Sequence, residues 1–339
     1  MPRRPPAVAR VLERVTKTSR EHEMFAPGDL VLVSCSGGPD SVCLLYSLWH
    51  LRRLFKIRLA VFHFDHKLRP DSAKDGAYVG KLAERLKIPF HLREAEDRPL
   101  KGESVEAWAR EARQTAGHDV AEDIGAAQIA EGHTSDDQAE TVLMGAITGG
   151  SLFGLMGIWP VAGSHDARRV QPLIDVTREE VEAFCRALRL RPRRDPTNEN
   201  LNLLRNAIRK QAIPALERTT RRNVRQPLAR VADEIRPIAI EELEKITGKD
   251  GWARGRRGEW LTISSELLGR RSPLQSRIFI RSWLKKMRLP VSREAIDGIL
   301  DLANGRPGRK RDLPEGLKAV REKEYVRVSR SSPPTSGEN

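Results

Sequence analysis

Cysteine is scarce: Cys35, Cys43 and Cys185 are the only three in 339 residues. An odd number, widely spaced and with no Cys-x-x-Cys pair, argues against a disulfide framework, a zinc ribbon and a cysteine-held iron–sulfur cluster. Cys35 and Cys43 read as small core residues of the first strand and helix. Aromatic residues make up only 5% of the chain. Apolar content is otherwise ordinary, so a globular body is expected, with no collagenous or low-complexity stretch. No apolar run approaches the length of a membrane span, and Met1 to Pro6 have none behind them. The expectation is a soluble, cytoplasmic protein without membrane contact. At this length two domains are expected, or three.

What the chain has in excess is positive charge, +14 overall. From Ala215 onward there are 28 Lys+Arg against 17 Asp+Glu, whereas the first 214 residues carry 32 against 29. The excess therefore lies in the back third. A polyanionic partner docking there is one reading. A solvated, arginine-rich surface is the other, and composition does not separate them.

The stretch from Val31 to Tyr46 organises the rest. An apolar run ending at Cys35 has the length of a buried parallel strand, and Ser36-Gly-Gly-Pro39 turns the chain. Ser41 to Leu48 then carries apolar residues at helical spacing. Paired glycines let backbone N–H groups approach a ligand, and the helix start aims its positive end at the same point. This is an anion site. Asp40 is out of place beside an anion unless a metal ion sits between carboxylate and phosphate. No Gly-Lys-Ser/Thr follows the glycines, so the loop is not a Walker A.

Helix and strand signals alternate further on. Val8 to Met24 reads as a leading helix, Ile57 to Phe64 as a strand, Ser72 to Leu86 as a helix and Ile88 to Leu92 as a strand. Glu103 to Ile124 reads as a helix, Ala127 to Glu131 as a strand and Thr134 to Ile147 as a helix. Such alternation builds a parallel sheet with helices on both faces, and ligands bind beyond the carboxyl ends of its strands. Gly149 to Gly157 reads as a mobile loop, Val170 to Ile174 as a short strand and Thr177 to Leu188 as a capped helix. Helices are expected over Asn200–Ala212 and, as a basic bridge between domains, over Leu216–Ile235. Beyond it lie a strand at Trp260–Ser264, helices over Pro273–Met287 and Ser292–Asn304, and a hairpin around Pro314-Glu-Gly316.

Three further clusters carry polar chemistry. His63-Phe-Asp65-His66-Lys67-Leu-Arg69 closes the second strand. Metal ligands of a phosphoesterase and a structural strand end are alternatives, but alternation sends Asp65 to the face opposite His66. The favoured reading is a wall of a nucleotide site, with Lys67 and Arg69 available to anionic oxygens. At the fourth strand–helix junction stands Gly132-His133-Thr-Ser-Asp136-Asp137-Gln-Ala-Glu140-Thr141. Thr134 or Ser135 can cap this helix. Asp137 and Glu140, three apart, share a face suited to a divalent ion or an ammonium group. The last cluster is Asp195-Pro-Thr-Asn198 with Arg205 and Arg209, one turn apart on one face.

Together the ordered set Ser36-Gly-Gly-Pro-Asp-Ser41, Asp65-His-Lys-Leu-Arg-Pro70, Glu106-Ala-Trp-Ala-Arg-Glu111, His133-x-x-Asp-Asp-Gln-x-Glu-Thr141, Asp195-Pro-Thr-Asn198 and Arg205-Asn206 resembles the tRNA(Ile)-lysidine synthetases of the PP-loop, N-type ATP pyrophosphatase superfamily. The match runs from about Leu30 to Leu216. The resemblance implies an α/β, Rossmann-like (adenine nucleotide alpha hydrolase-like) catalytic domain over 1–215. A smaller basic α+β tRNA-binding domain with its linking helix would cover 216–330, and the polar, proline-bearing stretch 331–339 reads by its composition as a disordered tail. It implies ligation of lysine to C2 of the wobble cytidine of a CAU anticodon through an adenylated base, with ATP and Mg²⁺ and with tRNA(Ile) as partner. A homodimer is left open. By motif, Ser36, Gly37, Gly38, Pro39, Asp40, Ser41, His66 and Arg113 would bind ATP, and Asp40 and Asp137 would hold the metal. Asp40, His133 and Asp137 would be catalytic, while Asp137, Glu140 and Arg205 would position lysine. The chain departs from the pattern at Gln114, at Thr148 and at Gln171, the first where tyrosine is usual and the others where arginine is. A tRNA thiolase of the same superfamily, and a basic RNA-binding protein with a decayed nucleotide site, are the competing readings.

Overall fold

A computed structural model describes residues 4–99, 104–149, 152–163, 167–193, 200–246, 252–254, 260–286, 289 and 291–330. These fall into two compact units, one formed by residues 1–147 and 154–233, the other by 148–153 and 234–339. The sequence reading starts the second domain at residue 216, whereas residues 216–233 belong with the first unit. The expected tail, 331–339, lies outside the described residues.

The first unit opens with α1 (Pro6–Glu21), β1 (Leu30–Ser34), α2 (Pro39–Phe55) and β2 (Arg58–Asp65). There follow α3 (Ala73–Leu86), β3 (Phe90–Glu94), α4 (Val105–Ile124), β4 (Gln128–Ala130) and α5 (Ser135–Gly149). A short α6 (Leu152–Leu155) occupies the stretch read as a loop, and β5 (Val161–Ala162), β6 (Arg168–Val170) and α7 (Arg178–Ala187) complete the alternation. The strands form one sheet in the order β3-β2-β1-β4-β6-β5, parallel throughout except for the β5–β6 pair. The strand expected over Val170–Ile174 ends at its first residue. Val170 completes β6, and Ile174 N–H turns back to the Gln171 carbonyl.

Alternation along the strands sorts the core. Leu32, Ala60, Phe62 and Ile129 pack with Val120 and Ala121 of α4 on one face. Val31, Val33, Leu59 and Val61 pack with α1, α2, α3 and α7 on the other. Gly117 of α4 faces the Phe62 ring, where a Cβ would stand 3.4 Å away, in ordinary contact. With apolar cover on both sides, the central strands β1, β2 and β4 are buried on both faces, as a parallel sheet requires, while the edge strand β3 is largely exposed.

After α7 come α8 (Leu204–Ala207), a π-helical turn over Ile208–Ala212 and α9 (Ile213–Thr220). The helix expected from Asn200 thus begins four residues later, and the π turn carries Arg209. Arg221, at φ +54°, breaks the expected Leu216–Ile235 helix, and α10 (Arg225–Ile246) starts afresh.

The second unit holds an antiparallel sheet in the order β7-β8-β11-β10-β9. Its strands are β7 (Trp252–Arg254), β8 (Trp260–Ser264), β9 (Lys310–Leu313), β10 (Leu317–Arg321) and β11 (Tyr325–Arg330). The short α11 (Ser265–Gly269), α12 (Pro273–Lys286) and α13 (Arg293–Ala303) supply Leu268, Phe279, Trp283, Ile296 and Ile299 to a core shared with Ile263, Val326 and Val328. The expected hairpin is present, with a 3-10 turn at Pro314–Gly316 between β9 and β10. An α+β unit of modest size is the result.

Candidate active site

The carboxyl ends of β1, β2 and β4 open into one cavity of about 320 Å³. Its wall includes Ser36, Asp40 and Ser41 from the loop and start of α2, His63, Asp65 and His66 from the end of β2, and Glu131, His133 and Asp137 after β4. Three motifs far apart in the chain therefore meet at one sheet edge, as parallel topology demands. Arg113 of α4 and Arg69 also line it.

The loop is built for a close ligand. Gly37 sits at φ +90°, a conformation that disfavours any side chain, and Gly38 precedes the first turn of α2. Ser41 Oγ donates to the Gly38 carbonyl at 3.0 Å and lies 3.2 Å from Ser36 Oγ. Of the predicted ATP-binding residues, Ser36, Asp40, Ser41, His66 and Arg113 face the cavity, while Gly37, Gly38 and Pro39 make the turn without forming its wall. Gly132 allows the β4 loop to touch the α2 start: a Cβ there would lie 3.1 Å from the Asp40 carbonyl carbon and 3.2 Å from Ser41 N.

The two carboxylates at this junction are treated differently. Burial pushes the Asp40 carboxyl up to about 6, the nearby Asp137 charge adds to the effect, and Arg178 and Arg209 only partly oppose it. Asp40 Oδ1 is buried with no hydrogen-bond partner among the described residues. Burial also opposes the Asp137 charge, but Arg205, His133, Arg178 and Arg209 together hold it at about 2. Asp137 Oδ2 accepts from the N–H and hydroxyl of Thr134 at 2.9 and 2.7 Å, so the side chain caps the start of α5 as well. Arg178 Nη2 lies 3.6 Å from Asp40 Oδ2 and 3.8 Å from Asp137 Oδ1.

Behind Asp137 is a four-charge cluster. Arg205 Nη2 and Arg209 Nη2 lie 3.3 and 3.1 Å from Asp137 Oδ1, and both guanidinium groups also grip Glu140, Arg205 Nε at 3.1 Å and Arg209 Nε at 2.5 Å. The predicted shared face of Asp137 and Glu140 is present, as is that of Arg205 and Arg209. Glu140, with its side chain 2% exposed, and Arg205 do not reach the cavity wall. Asp195 to Asn198 lie outside the described residues.

The end of β2 differs from the expectation. The strand stops at Asp65, whose Oδ1 accepts from Lys67 N–H at 2.8 Å, and Lys67 takes φ +53°. That turn brings His66 to the same cavity as Asp65, where unbroken alternation would separate them. His66 then packs edge-on to Phe64, with Trp108 at 6.2 Å between ring centres. Lys67 pairs with Glu94 at 2.6 Å, and Arg69 with Asp75 at 2.6 Å. Among the described residues no group of three or more His, Cys, Asp or Glu is placed to hold a metal ion.

Several site residues carried no signal of their own. Arg178 hides in an ordinary capping box, Thr177 with Glu180. Asp75 looks like an exposed helix acid, yet it binds Arg69 and also Arg193, whose N–H donates to the Gly37 carbonyl at 2.9 Å. Glu131 could have been noticed as a charge ending a buried strand just before Gly132-His133. Its carboxylate accepts from Gln171 Nε2 at 2.8 Å, and Gln171 Oε1 lies 2.8 Å from His133 Nδ1. Of the other departures, Gln114 is half-buried on α4, and Thr148 is exposed near the end of α5.

Comparison with known proteins decides the family. Residues 8–216 match the PP-loop domain model. A tRNA(Ile)-lysidine synthase of Symbiobacterium thermophilum is 38% identical over 249 residues, covering 71% of this chain and 52% of that one. Those of Clostridium acetobutylicum and Dehalococcoides mccartyi are 31% and 32% identical, over 91% and 90% of this chain and 68% and 67% of theirs. The chain belongs to the tRNA(Ile)-lysidine synthase family. It spans about half the length of the Symbiobacterium relative and about two thirds of the other two. Among solved structures, the U34-tRNA thiolase NcsA of Methanococcus maripaludis superposes with a TM-score of 0.59 at 18% identity, covering 68% of this chain and 79% of that one, a likeness of fold. No helix among the described residues is long and apolar enough to cross a membrane.

Proposed function

We propose that the chain joins lysine to C2 of the wobble cytidine in the CAU anticodon of tRNA(Ile), through a base adenylated by ATP with release of pyrophosphate. The observation that carries this reading is the single cavity in which Ser36, Asp40 and Ser41 meet His133 and Asp137. ATP lies with its phosphates over the Ser36–Ser41 turn, where N–H groups at the start of α2 have no partner within the helix. His66 and Arg113 flank the nucleotide, and His133 stands by the reacting phosphate.

A magnesium ion suits the donors present. Such ions take one or two carboxylates plus substrate phosphates, and the buried, unpartnered Asp40 Oδ1 beside ionised Asp137 supplies that set. Bound there, it would neutralise charge developing on the phosphate. Arg178, within 4 Å of both carboxylates, holds the pair together electrostatically. Asp137 is the member of the lysine-positioning set that faces the cavity. Glu140 and Arg205 act through it, fixing its Oδ1 from behind.

The thiolase alternative lacks its chemistry. All three cysteines are buried, and burial pushes Cys185 up to about 12, so none offers a reactive thiolate. The deciding assay incubates the protein with ATP, labelled lysine and CAU-anticodon tRNA. Label should enter RNA with AMP and pyrophosphate as products, and tRNA with another anticodon should take up none. Absence of label from protein that binds ATP would refute the reading.

A further inference from the structure

We propose that Gln171 is a positioning residue that locks the His133 imidazole with a proton on Nδ1, presenting Nε2 to the nucleotide cavity as its one exchangeable nitrogen. Glu131, Gln171 and His133 form a chain of three side chains in contact. Glu131 is a buried carboxylate, and although burial opposes its charge, His133, the Gln171 hydrogen bond, Arg113 and Arg169 hold it ionised. An ionised carboxylate only accepts. The Gln171 group 2.8 Å from Glu131 Oε2 must therefore be the amide nitrogen, which leaves Oε1 facing His133. That oxygen only accepts in turn, so His133 Nδ1, 2.8 Å away, must be the donor.

The direction of hydrogen bonding is thus dictated from Glu131 outward, in either charge state of the ring. His133 makes no other described hydrogen bond. Gln171 is 3% exposed and is not part of the wall that His133 lines, so the Nδ1 edge is taken up by a buried partner and the Nε2 edge remains for substrate. Glu131 Oε2 itself is 3.9 Å from Nδ1, beyond hydrogen-bond reach, so the amide is a necessary relay. Gln171 is one of the three positions where the motif pattern departs from the expected residue. An arginine there, having donors only, could not accept from Nδ1.

Two arms test this. The first is independent of the ligase reading: ¹⁵N spectroscopy of ring-labelled protein, above the titration of the imidazole, assigns the neutral tautomer of His133. The unprotonated nitrogen should be Nε2 in the parent and a mixture in Gln171→Met. In the double variant Glu131→Gln/Gln171→Glu it should again be Nε2. There the two side chains exchange roles: the new amide donates to the new carboxylate, and that carboxylate accepts from Nδ1. The second arm rests on the proposed function and follows pyrophosphate release with tRNA. Gln171→Met should lower kcat on the order of ten- to a hundred-fold with little change in the KM for ATP, and the double variant should recover most of it. A parent ring protonated on Nε2 overturns the proposal. So does a Gln171→Met protein with unchanged tautomer, or a double variant that is folded but not rescued. If the ligase reading itself is wrong, the parent shows no turnover while the tautomer result still stands.

Discussion

Replacing Asp40 by asparagine should stabilise the nucleotide-free protein at neutral pH while abolishing its ATP chemistry. Burial and the Asp137 charge raise the Asp40 carboxyl from 3.8 to about 6. A group whose folded pKa lies above its unfolded value binds its proton more tightly when folded. Its contribution is therefore favourable at low pH and is lost as pH rises from about 4 through about 6. A shift of this size corresponds to about 3 kcal/mol of folding free energy missing at pH 7.5. Asparagine carries no charge, so the loss disappears, although its amide leaves a buried polar group unpaired at about 1 kcal/mol. The variant should be more stable than the parent by about 2 kcal/mol at pH 7.5, and no more stable near pH 4. Urea titrations of both proteins at the two pH values, without nucleotide or divalent ions, measure this. The change in the variant-minus-parent difference between the two pH values isolates Asp40, because other titrating groups cancel. A change below about 1 kcal/mol, or one of opposite sign, would refute the account of Asp40 as a buried carboxylate kept at a cost to stability.

Gly132→Ala should disable nucleotide binding with modest effect on folding. The new Cβ meets backbone of Asp40 and Ser41 at 3.1 to 3.2 Å and would push α2 and the β4 loop apart, about 1 to 3 kcal/mol by thermal denaturation. An unchanged Kd for ATP would contradict the close-approach argument. Arg209→Ala removes one of the two guanidinium groups gripping Glu140, whose side chain is 2% exposed, and should cost about 3 to 5 kcal/mol. Arg209→Lys should recover only part of this, since an ammonium cannot span both carboxylates in bidentate fashion. Cys185→Ala, Cys43→Ala and Cys35→Ala should each retain lysine incorporation within about tenfold, losing only core packing; abolition by any one would revive sulfur chemistry.

The parallel sheet was legible because buried strands and amphipathic helices alternate with clear turn residues between them, and topology then dictated where polar clusters meet. Boundaries were less legible where a local exception intervened. Val170-Gln-Pro-Leu-Ile174 has strand composition, yet Pro172 cannot donate to a ladder and the chain turns there. Asp65 and His66 were expected on opposite faces because periodicity assumes a strand that continues, whereas the turn in which Asp65 accepts from Lys67 N–H ends the strand and brings both to the cavity. Asp75, Arg178 and Arg193 were invisible for a different reason. Each looks like an ordinary surface charge, and only tertiary proximity gives it a partner. The Gln171 bridge shows the same limit: a departure from the motif pattern marked the position, but a hydrogen-bond direction set two residues away could not be read from it.

The asymmetry between Asp40 and Asp137 follows from what each helix start offers its acid. Both stand in the first turn of a helix that follows a strand of the parallel sheet, Asp137 buried and Asp40 partly so, and the helix dipole and desolvation act on each in the same sense. What differs is the satisfaction of their oxygens. Asp137 receives two hydrogen bonds from Thr134, and the charges of Arg205, His133, Arg178 and Arg209 outweigh its burial, while Asp40 has one oxygen near Arg178 and the other without a described partner. One carboxylate is thereby fixed in place and permanently charged, and its neighbour is left with unspent capacity facing the cavity. On the proposed function, a cation brought in with a triphosphate would satisfy that capacity and relieve the repulsion between the pair, coupling substrate binding to local stability through a single oxygen atom.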